Sequence, residues 1–267
     1  MPQVLCPVCG KALQTEEKNW HCDAGHSFDV ARQGYVNLLT VDKKHSLHPG
    51  DTREQVAARK VFLDAEHYAP IADTLAEILA AEQPETLLDA GCGEGYYLTK
   101  AAPEGCRCWG VDISKDAVRY AAVRNKSVRW FVGTAAHLPF AERSFDCILS
   151  MFALTAAEEF HRVLKPGGLF VQVTAHPEHL LGLKSIIYPE ILVKEKETDH
   201  SLSGFALEEE KLLSFDFTLT GTEMVQHLLS MTPHFWRISK DGALRAAETT
   251  ELHDTAKVIF RLYRKEN

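Results

Sequence analysis

Four residues near the start of the chain have the types and spacing of a metal site. Cys6-Pro7-Val8-Cys9 is followed after twelve residues by Cys22, and after three more by His26. Two thiolates two residues apart close a tight chelate turn. Cys22 and His26 then supply the other corners of a tetrahedral S₃N shell, the donor set of a structural zinc. His21 competes for the fourth corner, but it adjoins Cys22 and would form a cramped chelate, so His26 is preferred. Trp20 and Phe28 flank the second ligand pair and are placed to cover the metal. A module this small has little core of its own, so metal binding supplies most of its folding energy.

A second set of residues suits a different ligand. Glycines stand at 91, 93 and 95 behind the apolar run Thr86-Leu87-Leu88-Asp89-Ala90, and Tyr96 and Tyr97 follow. Alternate glycines let the main chain turn sharply and press against a ligand. The helix that opens there offers free N–H groups and the positive end of its dipole. Cys108-Trp109-Gly110-Val111-Asp112 is another short apolar run ending in an acid, 23 residues after Asp89. That spacing puts a carboxylate at the tip of the next parallel strand, where it can accept both hydroxyls of a ribose. Tyr96-Tyr97-Leu98 supply no third glycine in register, so the GxGxxG dinucleotide pattern does not fit.

These residues need a sheet to hold them. Thr86–Ala90, the run ending at Asp112, Arg129-Trp130-Phe131-Val132, Phe145 to Met151 and Leu169 to Val173 read as five core strands. Phe215 to Leu219 and Lys257 to Tyr263 read as the sixth and seventh. Asp51 or Thr52 caps a helix through about Leu63, and a second helix presents Ile71, Leu75, Ile78 and Leu79 on one face. Thr155 and Glu158 have the spacing of a capping box for a helix ending at Leu164, with Pro166-Gly167-Gly168 as its stop. Residues 194–211 are charge-rich and read as a solvated surface.

Asp89 to Gly95 and Val111-Asp112-Ile113-Ser114 together resemble the cofactor fingerprint of class I S-adenosylmethionine (SAM)-dependent methyltransferases. Phe145 to Ser150 and Leu164 to Gly168 resemble later landmarks of that class, in the right order. The resemblance implies an α/β fold, a Rossmann-like seven-stranded sheet with a small N-terminal zinc-binding module. It implies a SAM site made by Asp89, Gly91, Gly93, Gly95, Tyr96, Tyr97 and Asp112, with Thr134, His137 and Leu138 at the adenine end. Many enzymes of this class have an acid soon after the glycine at the position of Gly133. Here Thr134 and Ala135 follow it, so adenine recognition falls to backbone groups, Thr134 or His137.

Composition limits the partners. The net charge of −8 excludes a generally basic nucleic-acid binder, yet residues 31–60 hold Arg32, Lys43, Lys44, Arg53, Arg59 and Lys60 against Asp42, Asp51 and Glu54. Phosphate affinity follows such local clusters more than the total. No apolar run approaches the roughly 20 residues needed to cross a bilayer. The opening residues have neither a basic nor an apolar signal region, so the expectation is a cytoplasmic protein that does not act at a membrane.

The metal pattern, Gly34-Tyr35-Val36-Asn37-Leu38-Leu39, Pro49 to Thr52, Phe62 to Ala65, His67-Tyr68, Leu138-Pro139-Phe140, His179-Leu180, Leu183-Lys184 and Met231-Thr232-Pro233 with Trp236 extend the likeness. Across nearly the whole chain it resembles the bacterial 23S ribosomal RNA (guanine-N1)-methyltransferases. That implies a homodimer that methylates N1 of a guanine in a 23S rRNA hairpin, using SAM and one zinc. It also implies three parts: residues 1–36 as the zinc-binding, RNA-recognising module, 37–84 as linker and helices, and 85–267 as the methyltransferase domain. Lys43, Lys44, Arg53, Arg59 and Trp236 are the RNA-binding candidates. Phe152 or Trp236 would stack on the target base, and His179, with His176 as the weaker candidate, would act as general base. One position departs from the family: Phe152-Ala153-Leu154 has leucine where an aromatic-Ala-Pro segment is usual.

The core alone would also suit a small-molecule methyltransferase, and a non-catalytic SAM- or RNA-binding protein is the other alternative. The zinc module and the basic stretch oppose the first of these, since small substrates need neither. Because the module precedes every cofactor landmark, Cys9→Ser is expected to lose zinc and RNA binding and to spare SAM binding.

Overall fold

Alternation along the central strands decides how the layers stack. Leu87, Trp130, Cys147, Leu149 and Val171 face one core, while Leu88, Val111, Phe131, Ile148 and Phe170 face another. Successive side chains on a strand point to opposite faces, so strands buried on both sides read as continuous apolar runs. A computed structural model describes residues 1–43, 50–191 and 200–266.

The chain begins with a three-stranded antiparallel ribbon: β1 (Gln14–Thr15), β2 (Asn19–His21) and β3 (Ser27–Asp29). Then come β4 (Val36–Asn37), a 3₁₀ turn at Val41–Lys43, α1 (Arg53–Asp64) and α2 (Ala69–Glu82). The alternating core follows as β5 (Thr86–Ala90), α3 (Tyr96–Ala101), β6 (Arg107–Asp112), α4 (Lys115–Arg124), β7 (Arg129–Val132), β8 (Phe145–Met151), α5 (Ala157–Val163) and β9 (Leu164–Ala175). It closes with α6 (Leu181–Ile187), β10 (Phe205–Thr220), α7 (Thr222–Ser230), a 3₁₀ turn at Pro233–Trp236, α8 (Lys240–Glu248) and β11 (Glu251–Lys265). The main sheet runs β10-β11-β9-β8-β5-β6-β7-β4. Pairings from β4 to β9 are parallel, and β11 and β10 add antiparallel. The order reverses between β5 and β8, and ligand crevices of such sheets open at that point.

Seven of these strands are the expected ones, and β4 is an eighth from the Gly34 to Leu39 stretch. The α1 cap also agrees, because Thr52 accepts from Gln55 N at 3.3 Å and Gln55 Oε1 accepts from Thr52 N at 3.1 Å. Other elements differ. Thr155 makes no capping box: its Oγ1 accepts from Gln172 Nε2 at 2.7 Å, and α5 starts after Ala156 with no side-chain cap. Pro166-Gly167-Gly168 lies inside β9, with Gly167 at φ 70°, so the helix stops into a strand with no intervening loop. Part of the charged surface stretch, from Phe205 onward, belongs to β10, where the acids decorate the exposed face of a sheet-edge strand. Its residues 194–199, and the turn residues 45–49, lie outside the described residues. Among the described residues no helix is long and apolar enough to cross a membrane.

The two faces of the sheet are covered differently. Side chains of α2, α3, α4, α6, α7 and α8 pack on one face. On the other, α5 is joined by Val4, Cys6, Leu13, Trp20, Cys22, Val36 and Leu38 of the N-terminal segment. Trp20 meets Phe131 edge-on with ring centroids 5.4 Å apart. The connection from β7 to β8 forms no helix, and the ribbon fills the place that a crossover helix would take. Backbone bonds stitch it down: Leu5 N to Pro139 O at 2.8 Å, Ala141 N to Gln3 O at 3.0 Å, and Leu38 N to Val132 O at 2.9 Å. A domain boundary at residue 36 therefore falls inside a strand of the main sheet.

This shared core speaks for the two parts unfolding together and not as separable halves. Each large apolar side chain buried there contributes roughly 1.5–3 kcal/mol, and Cys6 and Cys22 are ordered within it. Cys9→Ser, or chelation, is expected to lower the melting temperature of the whole chain in one transition and to weaken SAM binding at least several-fold. Calorimetry that found an unchanged SAM affinity after metal loss would restore the separable picture.

Candidate functional site

Cys6, Cys9, Cys22 and His26 come together with all four donor atoms within 4.8 Å of one another. Cys9 Sγ lies 3.6 Å from Cys22 Sγ, and His26 Nδ1 lies 3.5 Å from the sulfurs of both Cys6 and Cys22. A tetrahedron with metal–sulfur bonds near 2.3 Å has edges of about 3.8 Å, so the donor set fits zinc as it stands. His21 points elsewhere, with Nδ1 3.9 Å from Glu16.

At the crevice, the turn after β5 is drawn onto the end of β6. Gly91 N and Cys92 N both donate to Val111 O, at 2.8 and 3.1 Å. Asp112 accepts from Gly93 N at 2.9 Å through one oxygen and from Ser114 N at 2.8 Å through the other. One carboxylate thus clamps both turns and still has lone pairs for a ligand. The glycines are required: Gly91 has φ 90°, and a Cβ there would come within 2.4 Å of Ala153 Cβ. Gly95, at φ 79°, would press on Trp130 at 2.7 Å.

Three acids surround this turn. Asp89 is 1% exposed, and among the described residues its Oδ1 has no hydrogen-bond partner. Burial, with the charges of Asp112 and Glu94 adding to it, pushes the Asp89 carboxyl up to about 8. Glu94 is buried beside Arg124, with Nη2 3.7 Å from Oε1, and burial raises it too. Burial also raises Asp112, opposed by its two N–H donors and by Arg59. Unpartnered buried acids of this kind suit a cationic ligand. A sulfonium with an ammonium group fits.

The remaining candidates separate. Tyr97 packs on Phe152 with ring centroids 6.2 Å apart. Tyr96 instead turns into the core, its hydroxyl 3.4 Å from Glu66 and its ring near Arg124 and Lys100, so what it can offer the loop is its backbone. Thr134, His137 and Leu138, with Leu5, Leu38 and Lys43, line a cavity of about 240 Å³ between the ribbon and the loop after β7. Phe152 sits at the end of β8 with φ 54° and 41% of its surface exposed. Trp236 is 68% exposed and lies outside the core. Arg53 is exposed on the first turn of α1, while Arg59 is paired with Asp51 and turned toward the acids of the crevice. Lys44 lies outside the described residues.

His179 is constrained at both nitrogens. Nδ1 accepts from Lys257 N at 3.1 Å, and Nε2 lies 3.3 Å from the Tyr68 hydroxyl. Burial, with Lys184 adding to it, pushes the ring down to about 4, so it is neutral at pH 7. A neutral ring that accepts at Nδ1 carries its proton on Nε2. It has no free lone pair for the general-base role. His176 accepts from Glu178 N at 3.1 Å. Sequence reasoning gave no role to Glu94, Arg124 or Tyr68, whose partners are too far apart along the chain to give a local signal, and it did not foresee that Arg59 pairs with Asp51.

Known proteins agree with this layout. A zinc-ribbon family model described as RlmA, N-terminal, matches residues 4–47, and a methyltransferase-domain model matches residues 88–172. The 23S rRNA (guanine(748)-N(1))-methyltransferase of Streptomyces fradiae is 33% identical, covering 97% of this chain and 95% of its own. YxjB of Bacillus subtilis, provisionally named for the 23S rRNA (guanine-N(1)-) reaction, is 30% identical over 88% of each chain. A similarly named protein of Micromonospora griseorubida is 37% identical over 68% of this chain and 69% of its own. The chain belongs to the 23S rRNA (guanine-N1)-methyltransferase family. Its methyltransferase domain uses SAM and its ribbon holds zinc. Purified protein of this family member is expected to carry about one zinc per chain, and metal analysis of the Cys22→Ser variant is expected to find none.

Proposed function

We propose that this enzyme transfers a methyl group from SAM to N1 of a guanine in a 23S rRNA hairpin, that it works as a homodimer, and that it acts in the cytoplasm. The observation that carries the reading is the position of Phe152, an exposed ring in a left-handed conformation whose neighbour Ala153 rests on Gly91 of the cofactor turn. Non-glycine residues at positive φ are strained and concentrate at functional sites. An open aromatic at this place suits an unstacked base.

In this reading Asp112 accepts the ribose hydroxyls, and Gly91, Gly93, Gly95 and the backbone at Tyr96 wrap the methionine portion. Asp89 faces its positive charges, and Tyr97 separates cofactor from base. Thr134, His137 and Leu138 bound the adenine. SAM supplies an activated methyl on sulfur. The chain's own residues hold guanine N1 in line with it and exclude water. Lys43 and Arg53 meet the phosphates, and Trp236 lies against the hairpin. Arg59 serves the cofactor side. The small-molecule alternative has no use for a ribbon that shares the sheet's core.

Asp112→Ala is expected to weaken SAM binding by about 1.5–3 kcal/mol in a folded protein, measured by calorimetry. Unmethylated 23S rRNA incubated with labelled SAM is expected to gain one N1-methylguanine, mapped by primer extension. A product methylated elsewhere would sink the assignment. Lys43→Ala is expected to flatten the log–log salt dependence of hairpin binding by somewhat less than one, with SAM affinity changed little. A slope equal to the parent's would place Lys43 off the RNA path.

A further inference from the structure

The Tyr68 hydroxyl is oriented by a partner far from it in the chain. Tyr68 is 3% exposed, packed edge-on against Phe62, Phe215 and Phe217, and among the described residues His179 is its hydrogen-bond partner. His179 Nδ1 is held by Lys257 N, so Nε2 donates, and the Tyr68 oxygen receives that proton. The phenol's own proton is then left to donate elsewhere. Tyr97 is close enough to feel Tyr68 and also packs on Phe152, whose backbone N is bonded to Val173 O at 2.9 Å at the end of β9. The turn carrying His179 follows that same strand end. Tyr68, Tyr97 and Phe152 thus stand at one end of the sheet.

We infer that His179 is a positioning residue that fixes the Tyr68 hydroxyl as a hydrogen-bond donor to O6 of the target guanine. This rests on the placement of the base at Phe152. The N1 proton first leaves to solvent, before the site closes; methyl transfer then forms the N1–carbon bond as the carbon–sulfur bond breaks, its electron pair staying on sulfur. Negative charge that develops on the base as N1 loses its proton is shared with O6. A fixed donor there stabilises the transition state and prefers guanine over adenine, whose amino group at that position is itself a donor.

Tyr68→Phe keeps the ring packing and removes only the donor. It is expected to lower kcat roughly 10- to 100-fold with SAM and hairpin affinities unchanged. A 6-thioguanine hairpin, with a weaker acceptor, is expected to slow the parent enzyme and to add no further penalty to Tyr68→Phe. His179→Gln, which can still accept from Lys257 N and donate to Tyr68, is expected to keep most of the rate and the shape of the pH profile. The groups facing His179 are Lys184 of α6, His234 of the 3₁₀ turn, Tyr68, and Lys257 of β11, whose backbone N–H donates to it. His179, held low by burial, is itself expected to add no limb between pH 5 and 8. A parent limb in that range that vanishes in His179→Gln would make His179 the base and overturn the inference, as would a Tyr68→Phe enzyme with parental kcat. Phe152→Ala is the separate control, since parental turnover there would remove the base placement itself.

Discussion

The fold depends on the ribbon acting as one layer of the sheet. Residues 133–144 run from β7 to β8 without a helix, and that face carries Trp109, Val111, Phe131 and Phe145. Left open, it would expose a large apolar surface next to the cofactor crevice. The ribbon closes it with Val4, Leu13, Trp20, Val36 and Leu38, and two metal ligands are buried in the same core. Metal, ribbon and the loop from Gly133 to Ala141 form one mechanical unit. In the proposed site, the adenine side would therefore take its rigidity from the ribbon.

The crevice is built on a cost. Asp89 and Glu94 are buried without full hydrogen bonding, and Asp112 is kept in a half-buried position by backbone donors. An acid whose folded pKa is raised above its unfolded value loses stability as pH climbs past the unfolded value. For Asp89 the loss grows from about 3.8 until about 8, where the folded protein also ionises. A cationic ligand reverses this by favouring the ionised form. The buried acids are therefore set to complement the positive charges of SAM, and Arg59, drawn toward them, offsets part of their repulsion.

Much of this layout was legible in the sequence because its signals are local. The metal spacing, the glycines at 91, 93 and 95, and the acid at 112 each report on a turn or strand tip a few residues long. The alternation of β5 through β9 was hidden by burial on both faces but still marked strands. What escaped was set by contacts distant in sequence. Thr155 matches a capping box, yet Gln172 on β9 offers its hydroxyl a better partner. The acids from Glu208 to Glu210 read as solvated surface and are exposed, but charge alone did not show that pairing with β11 makes them a strand edge. His179 looks like a base until Lys257 N, 78 residues away, takes its acceptor nitrogen.

The leucine at 154 shows how one departure from family pattern is absorbed. A proline there would stiffen the chain beside the Phe152 ring through its fixed φ. Leu154 is 66% exposed and imposes no such restraint. The segment is held instead by Phe152 N bonded to Val173 O at 2.9 Å, by Ser150 Oγ donating to Ala153 O at 3.4 Å, and by the close fit of Ala153 on Gly91. All three restraints come before residue 154. They fix the positive φ of Phe152 from the strand and the glycine turn, so the ring's position relative to the cofactor does not depend on a proline. What the substitution changes is the outer rim, where an exposed leucine adds apolar surface next to the ring at the place where an unstacked base would enter.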